Sequence, residues 1–248
     1  RAYALGFASR GAKVVVNDLG TGAKGSGSSS SVAEAVVQEI QSAGGQAVAN
    51  CDSVEDGDKI IDAAIKAFGT VDILVNNAGI LRDVSFAKMT DQDWELIDRV
   101  HLKGAYKCTK AAWPHMLKKG YGRILNISST AGLYGNFGQA NYSMAKSGIL
   151  GFTKSCALEG ERKGIMSNVI APLAASRMLE TVLPKDALAA LKPEAVVPVV
   201  LFLCHEASNV NGTVVEAGGG WVAKVRIQRS KGAFLPGAFT AEDVKAQW

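Results

Sequence analysis

Six short runs of apolar, largely β-branched residues punctuate this chain, with helix-length stretches between most of them. They are Lys13–Asn17 (KVVVN), Gln46–Asn50, Val71–Asn76, Arg123–Ser128, Met166–Ile170 and Thr213–Glu216. The runs are mostly apolar throughout rather than alternating, as strands covered on both faces require. Repeated β-α-β units of this kind predict a Rossmann-type α/β fold, a doubly wound parallel sheet with helices on both faces. Helix starts are signalled by Ser31 before Glu34, Thr90 before Asp93 and Ser53 before Asp56, each an acceptor three residues ahead of an acid. Gly44-Gly45 marks the end of the helix that Ser31 opens.

A chain of 248 residues fits one large domain of this class. We read 1–220 as the dinucleotide-binding dehydrogenase domain and 221–248 as a C-terminal extension of it, with Thr240 capping a last short helix. The Gly/Ser-rich stretch Gly20–Ser31 interrupts one β-α unit and reads as a long surface loop. The opening is unusual. Residues 1–10 read as a helix ended by Gly11, whereas a dinucleotide fold opens with a strand and a glycine-rich turn. In that fingerprint an acid follows the glycines by about 20 residues. Asp18 sits where the acid belongs, so the first strand and the glycine-rich loop are expected upstream of Arg1, missing from this sequence.

Charge and cysteine usage narrow the partners. The net charge of +4 is mild and the Lys and Arg residues are dispersed, which speaks against nucleic acid. Cys51, Cys108, Cys156 and Cys204 have no C-x-x-C spacing and the three His do not cluster with them, so no metal is expected and the thiols are expected to be reduced. No run of 18 apolar residues is present, so no membrane span is expected. No signal peptide is expected, and the last four residues, KAQW, are not a peroxisomal S-K-L address.

The sharpest constellation is Tyr142-x-x-x-Lys146 with Ser129 thirteen residues upstream. Residues four apart on a helix share a face. An ammonium beside a phenol favours the phenolate and is expected to move its pKa toward neutrality, fitting Tyr142 to exchange a proton with a substrate oxygen. Ser129 ends an apolar run, where a hydroxyl can meet the same oxygen, because ligands of doubly wound sheets lie at the carboxyl ends of the strands. Alone, a Y-x-x-x-K spacing is weak, since any helix can carry it as a surface pair. Asn76-Asn77-Ala78-Gly79 follows another run and reads either as an ordinary turn or as a backbone-rich corner against a cofactor. Asp18 reads either as a cap or as the acid that accepts from the adenosine ribose and repels a 2′-phosphate, giving NAD over NADP.

Together these residues resemble the short-chain dehydrogenase/reductase family over Arg1 to about Gly220, including the stretch GTVVEAGGG at Gly212–Gly220. The resemblance implies hydride transfer, Tyr142 as acid/base, Lys146 also holding the nicotinamide ribose, and commonly a dimer or tetramer, here a homodimer. It implies cofactor contacts from Asp18, Asp52, Ser53, Asn76, Ala78, Gly79, Tyr142, Lys146 and Pro172. Two positions depart from the general pattern: His101 replaces the family's proton-relay Asn and is carried as a fourth catalytic residue, and Pro172-Leu173 replaces the usual Pro-Gly. A closer resemblance lies in NDLG (Asn17–Gly20), NNAGILRD (Asn76–Asp83), RVHL (Arg99–Leu102), YGNFGQANY (Tyr134–Tyr142), Ser176-Arg177-Met178 and LCHE (Leu203–Glu206). These are similar to the (3R)-hydroxyacyl-CoA dehydrogenase unit of the peroxisomal multifunctional enzymes of type 2. That resemblance implies NAD-dependent oxidation of (3R)-3-hydroxyacyl-CoA to 3-ketoacyl-CoA in β-oxidation, a peroxisomal location, and fusion to a hydratase or a second dehydrogenase unit. It also raises Arg177 as a contact for CoA phosphates. A ketoacyl reductase or steroid dehydrogenase of the same family, or a non-catalytic scaffold derived from it, remain the alternatives. Asp18 argues against the NADPH-using reductase, and the intact Ser129, Tyr142 and Lys146 argue against the scaffold.

Overall fold

The computed structural model describes residues 1–22, 24–27, 29–174 and 191–247. Seven strands are described: β1 (Val14–Asn17), β2 (Ala47–Asn50), β3 (Ile73–Asn76), β4 (Gly122–Ile127), β5 (Ile165–Pro172), β6 (Val214–Gly218) and β7 (Trp221–Val225). The helices are α1 (Ala2–Ala8), α2 (Ser31–Ser42), α3 (Gly57–Phe68), α4 (Asp91–Ile97), α5 (Gly104–Lys119), α6 (Thr130–Tyr134), α7 (Ala140–Gly160), α8 (Val197–Cys204) and α9 (Ala241–Gln247). All six sequence-predicted strands form, within two residues of the expected ends. β7 is an addition: it turns back at Gly219-Gly220 and pairs antiparallel with β6, Glu216 opposite Ala223.

The sheet comes in two pieces. β1 pairs parallel with β2, and β3 to β7 form a five-stranded sheet in sequence order, parallel through β6. In the doubly wound order 3-2-1-4-5-6, these correspond to the lanes on either side of strand 1, so the break between β1 and β3 falls in the lane of strand 1.

Alternation along the central strands explains the two helical layers. On β4, Ile124 packs with α3 (Ile60, Ile61) and α5 (Cys108, Ala112, Met116). Its neighbours Leu125 and Ile127 face the other way, toward Val200, Leu203 and Cys204 of α8 and the half-buried Tyr3 and Phe7 of α1. Both faces of β4 are therefore dry, and all six of its residues are buried. At ~25 cal/mol per Å² of apolar surface removed from water, this two-sided burial is the main stabilising term of the fold.

Local signals set several boundaries. The Thr90 hydroxyl accepts from Asp93 N (3.2 Å) and donates to the Asp93 carboxylate (2.7 Å), opening α4. Thr240 does the same for Asp243 at α9. Ser53 accepts from Glu55 N (3.2 Å) at a short 3-10 turn ahead of α3. The expectation for Ser31 is corrected: Ser30 holds the cap position without a side-chain bond, and the Ser31 hydroxyl pairs with that of Ser29 (2.7 Å). In that serine run a neighbouring hydroxyl competes with the backbone for the same bonds.

Candidate active site

Every parallel strand from β1 to β5 ends on the same edge of the molecule, and the sequence-predicted residues collect there. Asp18 follows β1, Asp52 and Ser53 follow β2, Asn76 to Gly79 end and follow β3, Ser129 follows β4 and Pro172 ends β5. Asp18 is exposed and accepts from Gly20 N (2.7 Å), a turn that fixes its carboxylate at the tip of β1. Asn17 and Asn50 knit the neighbouring tips together: Asn17 Nδ2 donates to Asn50 Oδ1 (2.7 Å) and to the Asp52 carbonyl (2.9 Å). Asn50 Nδ2 in turn donates to the Asp52 carboxylate (2.8 Å).

Asn76 turns inward. Its Nδ2 donates to Asn126 Oδ1 (2.8 Å) and Thr109 Oγ1 (3.1 Å), and Asn126 donates on to Thr153 Oγ1 (2.8 Å). This polar chain ties β3, β4, α5 and α7 through the core and takes up the Asn76 amide N–H groups. Asn77 and Ala78 are exposed.

Tyr142 and Lys146 project from α7, which packs on β5. Asn141, fully buried, sets the start of that helix. Its Nδ2 donates to the carbonyls of Arg82 (3.3 Å) and Asp93 (3.2 Å), and its Oδ1 accepts from Tyr142 N (2.8 Å). Sequence reasoning gave Asn141 no role, although an Asn in the first turn of a helix is a signal for such a clamp. The helix is pinned again at Lys146: its ammonium donates to the Ile127 carbonyl (2.7 Å), and its own carbonyl accepts from the Ser128 hydroxyl (2.8 Å). Gly132 of α6 makes this approach possible, because a Cβ there would stand 2.6 Å from Lys146 Cβ.

The electrostatics differ from the sequence expectation in one respect. Lys146 Nζ lies 5.6 Å from the Tyr142 ring centroid, so the two do share a face. Yet the phenol is held above its ordinary pKa, not moved toward neutrality. Burial is the main cause; the nearby Ser129 hydroxyl opposes it, and the Asp83 carboxylate adds to it. Lys146 is 3% exposed, and burial pushes its own pKa down to about 7. Desolvation of both groups outweighs their attraction in the ligand-free protein. Ser129, half-buried, also accepts from Ala131 N (3.2 Å) and so starts α6.

His101 lies in a π-helical segment (Asp98–Lys103) between α4 and α5 and is buried against this cluster. Its ring meets that of Tyr142 edge to face, with centroids 5.2 Å apart. Burial and the Lys146 charge push its pKa down to about 3. Pro172 pairs with Ala217 of β6, and the ladder continues as Leu173 N donates to Ala217 O (2.7 Å), so the Leu in place of Gly leaves this strand end paired. Ser176, Arg177 and Met178 lie outside the described residues.

The arrangement offers a phenol and a hydroxyl side by side, a buried ammonium with one protein bond and N–H groups to spare, an exposed carboxylate at β1 and an exposed backbone corner after β3. These residues fit a dinucleotide laid across the strand ends, with the reacting end at Tyr142. Among the described residues no group of His, Cys, Asp and Glu could hold a metal, and no helix is long and apolar enough to cross a membrane.

Comparison with known proteins agrees with this geometry. A family model described as short chain dehydrogenase matches residues 1–186. The chain is 58% identical to peroxisomal multifunctional enzyme A of Dictyostelium discoideum over 248 residues, all of this chain and 56% of that protein. It is 55% identical to the peroxisomal multifunctional enzyme type 2 of Mus musculus over 251 residues, again all of this chain but 34% of that protein. The structure of the full-length peroxisomal multifunctional enzyme type 2 from Drosophila melanogaster superimposes with a TM-score of 0.83 at 46% identity, covering 99% of this chain and 41% of that one. The chain thus spans about half the length, or less, of these relatives.

Proposed function

We infer the reaction from the family: the chain belongs to the short-chain dehydrogenases, oxidoreductases that work with NAD or NADP. We propose that it oxidises (3R)-3-hydroxyacyl-CoA to the 3-ketoacyl-CoA with NAD as acceptor, as the dehydrogenase unit of a larger peroxisomal β-oxidation enzyme. The observation that carries the reading is the Ser129–Tyr142–Lys146 cluster at the carboxyl ends of the strands. The substrate class is supported by relatives at 55% and 58% identity whose names are peroxisomal multifunctional enzymes. A homodimer is part of the same proposal.

The nicotinamide would supply the hydride acceptor; the rest falls to the chain. Tyr142 takes the proton from the substrate hydroxyl, and Ser129 holds the same oxygen through hydride loss. Lys146, with N–H groups free beyond its bond to Ile127, holds the nicotinamide ribose and offers positive charge to the phenolate. Asp18 accepts from the adenosine ribose and repels a 2′-phosphate, which favours NAD. Asp52, Ser53, the backbone of Asn76, Ala78 and Gly79, and Pro172 complete the cofactor bed. The test is the formation of NADH from (3R)-hydroxyacyl-CoAs of several chain lengths. No reduction of NAD with any length would overturn the substrate reading, and a preference for NADP would overturn the role given to Asp18.

A further inference from the structure

His101 poses a question that its place in the sequence does not answer. Its Nε2 lies 3.0 Å from Ile80 N and 2.8 Å from Ile80 O, so in either neutral tautomer this ring nitrogen has a backbone partner on Ile80: it accepts from the N–H when bare and donates to the carbonyl when protonated. Its Nδ1 is buried with no partner among the described residues. An orphaned buried nitrogen costs about 1–3 kcal/mol, so a ring kept there needs a reason beyond filling space. The surroundings are built to receive it. A Cβ on Gly79 would stand 2.6 Å from His101 Cε1 and 3.2 Å from Nδ1, so the absence of a side chain at 79 makes room for the imidazole. The π-helical segment that carries His101 is a rare geometry that occurs frequently at functional sites. The other side of the imidazole is the edge-to-face contact with Tyr142, at an interplanar angle of 86°.

We propose that His101 is a positioning residue: lodged over Gly79 and held at Nε2 by the Ile80 backbone, its side chain braces the Tyr142 ring against Ser129 and keeps water from the phenol. The proposal rests on the assignment of Tyr142 as the acid/base. It differs from a proton relay, because the imidazole stays neutral throughout and passes no proton. It also gives Gly79 a purpose separate from any approach to a cofactor. Among the described residues four groups face the phenol: Ser129 from the end of β4, Asp83 from the loop after β3, Lys146 from α7 and the His101 ring.

The test is a double-mutant cycle with two readouts. His101→Ala should lower kcat by about 10- to 100-fold, since a displacement near 1 Å at a reacting group carries a loss of that size. KM and NADH binding should stay within about threefold. Gly79→Ala should lose kcat similarly by pushing the ring away, and the double variant should be no worse than His101→Ala alone, because both changes remove the same brace. The second readout needs no substrate: ultraviolet titration of the Tyr142 phenol, with Tyr142→Phe as the blank. In His101→Ala, water entering the vacated space should lower the phenol pKa relative to wild type. Should His101→Ala fail to fold, His101→Gln, whose amide reaches the Nε2 position beside Ile80 but presents no ring edge, carries both readouts with the same expected signs. Losses that multiply in the double variant, or an unchanged phenol titration, would overturn the proposal. If wild type fails to turn over hydroxyacyl-CoA, the substrate reading falls, and the titration still decides the role of His101.

Discussion

Lys146→Met separates what the site costs the fold from what it gives the reaction. The ammonium is 3% exposed and has one hydrogen bond to the Ile127 carbonyl. Burial lowers its pKa from 10.5 to about 7. That gap of about 3.5 units corresponds to about 5 kcal/mol of destabilisation wherever the group is charged in both states, which is below about pH 7. Between about pH 7 and 10.5 the unfolded chain keeps the proton that the folded chain has lost. The unfolded state then binds more protons, so wild-type stability rises with pH across that window. By about pH 9 the remaining penalty is about 2 kcal/mol. Met keeps an unbranched apolar chain of similar reach but leaves the Ile127 carbonyl without its donor, at about 1–3 kcal/mol. The variant should therefore be the more stable protein by about 2–4 kcal/mol near pH 6, with the two close to parity near pH 9. Urea unfolding of both proteins without cofactor, at the two pH values, measures this. A variant less stable at both, or two profiles that run parallel with pH, would refute the claim that an uncompensated buried charge sits at position 146.

Four further outcomes follow from the same geometry. Tyr142→Phe keeps the ring and its contact with His101 but removes the transferable proton, so turnover should fall by about 10² to 10⁴ while NADH binding, read by fluorescence, holds. Because burial and Asp83 hold the phenol above its ordinary value, the proton-accepting form grows as pH rises, and steady-state oxidation rates should climb from neutral into alkaline solution. Asp18→Ala should raise the use of NADP relative to NAD by removing a charge that opposes the 2′-phosphate, as the ratio of kcat/KM for the two cofactors will report. Arg123, buried, donates to the carbonyls of Gly122 (2.9 Å), Gly164 (3.2 Å) and Glu206 (3.1 Å), so Arg123→Leu should destabilise by more than about 2 kcal/mol in thermal or urea unfolding.

Much of the fold was legible because β4 and its neighbours are apolar on both faces, a pattern that helices on both sides of a sheet demand. β7 was not legible. Trp221-Val222-Ala223 is short and partly exposed, and it becomes a strand only because β6 offers an open edge beside the turn at Gly219-Gly220. In the site, the spacing of Tyr142 and Lys146 and the place of Ser129 at the end of an apolar run were enough to bring the three together. The sign of the phenol shift was not legible, because spacing reveals a neighbouring charge but not the burial that outweighs it. The inward turn of Asn76 was hidden for a related reason. Its partners Thr109 and Asn126, and Thr153 beyond Asn126, are distant in sequence and meet only when α5 and α7 close on the sheet. Asn141 was visible as a residue, but its acceptors, the carbonyls of Arg82 and Asp93, are contacts of tertiary structure.

The central claim is that Ser129 and Tyr142 hold one hydroxyl of a hydroxyacyl thioester in a single orientation for hydride loss. The most direct measurement is the initial rate of NADH formation from the 3R and the 3S alcohols of one acyl-CoA, at equal chain length and concentration. One fixed reacting centre should favour 3R by at least about 100-fold, since misorientation forfeits several kcal/mol of alignment. Equal rates for the two enantiomers, or turnover of 3S alone, would contradict it.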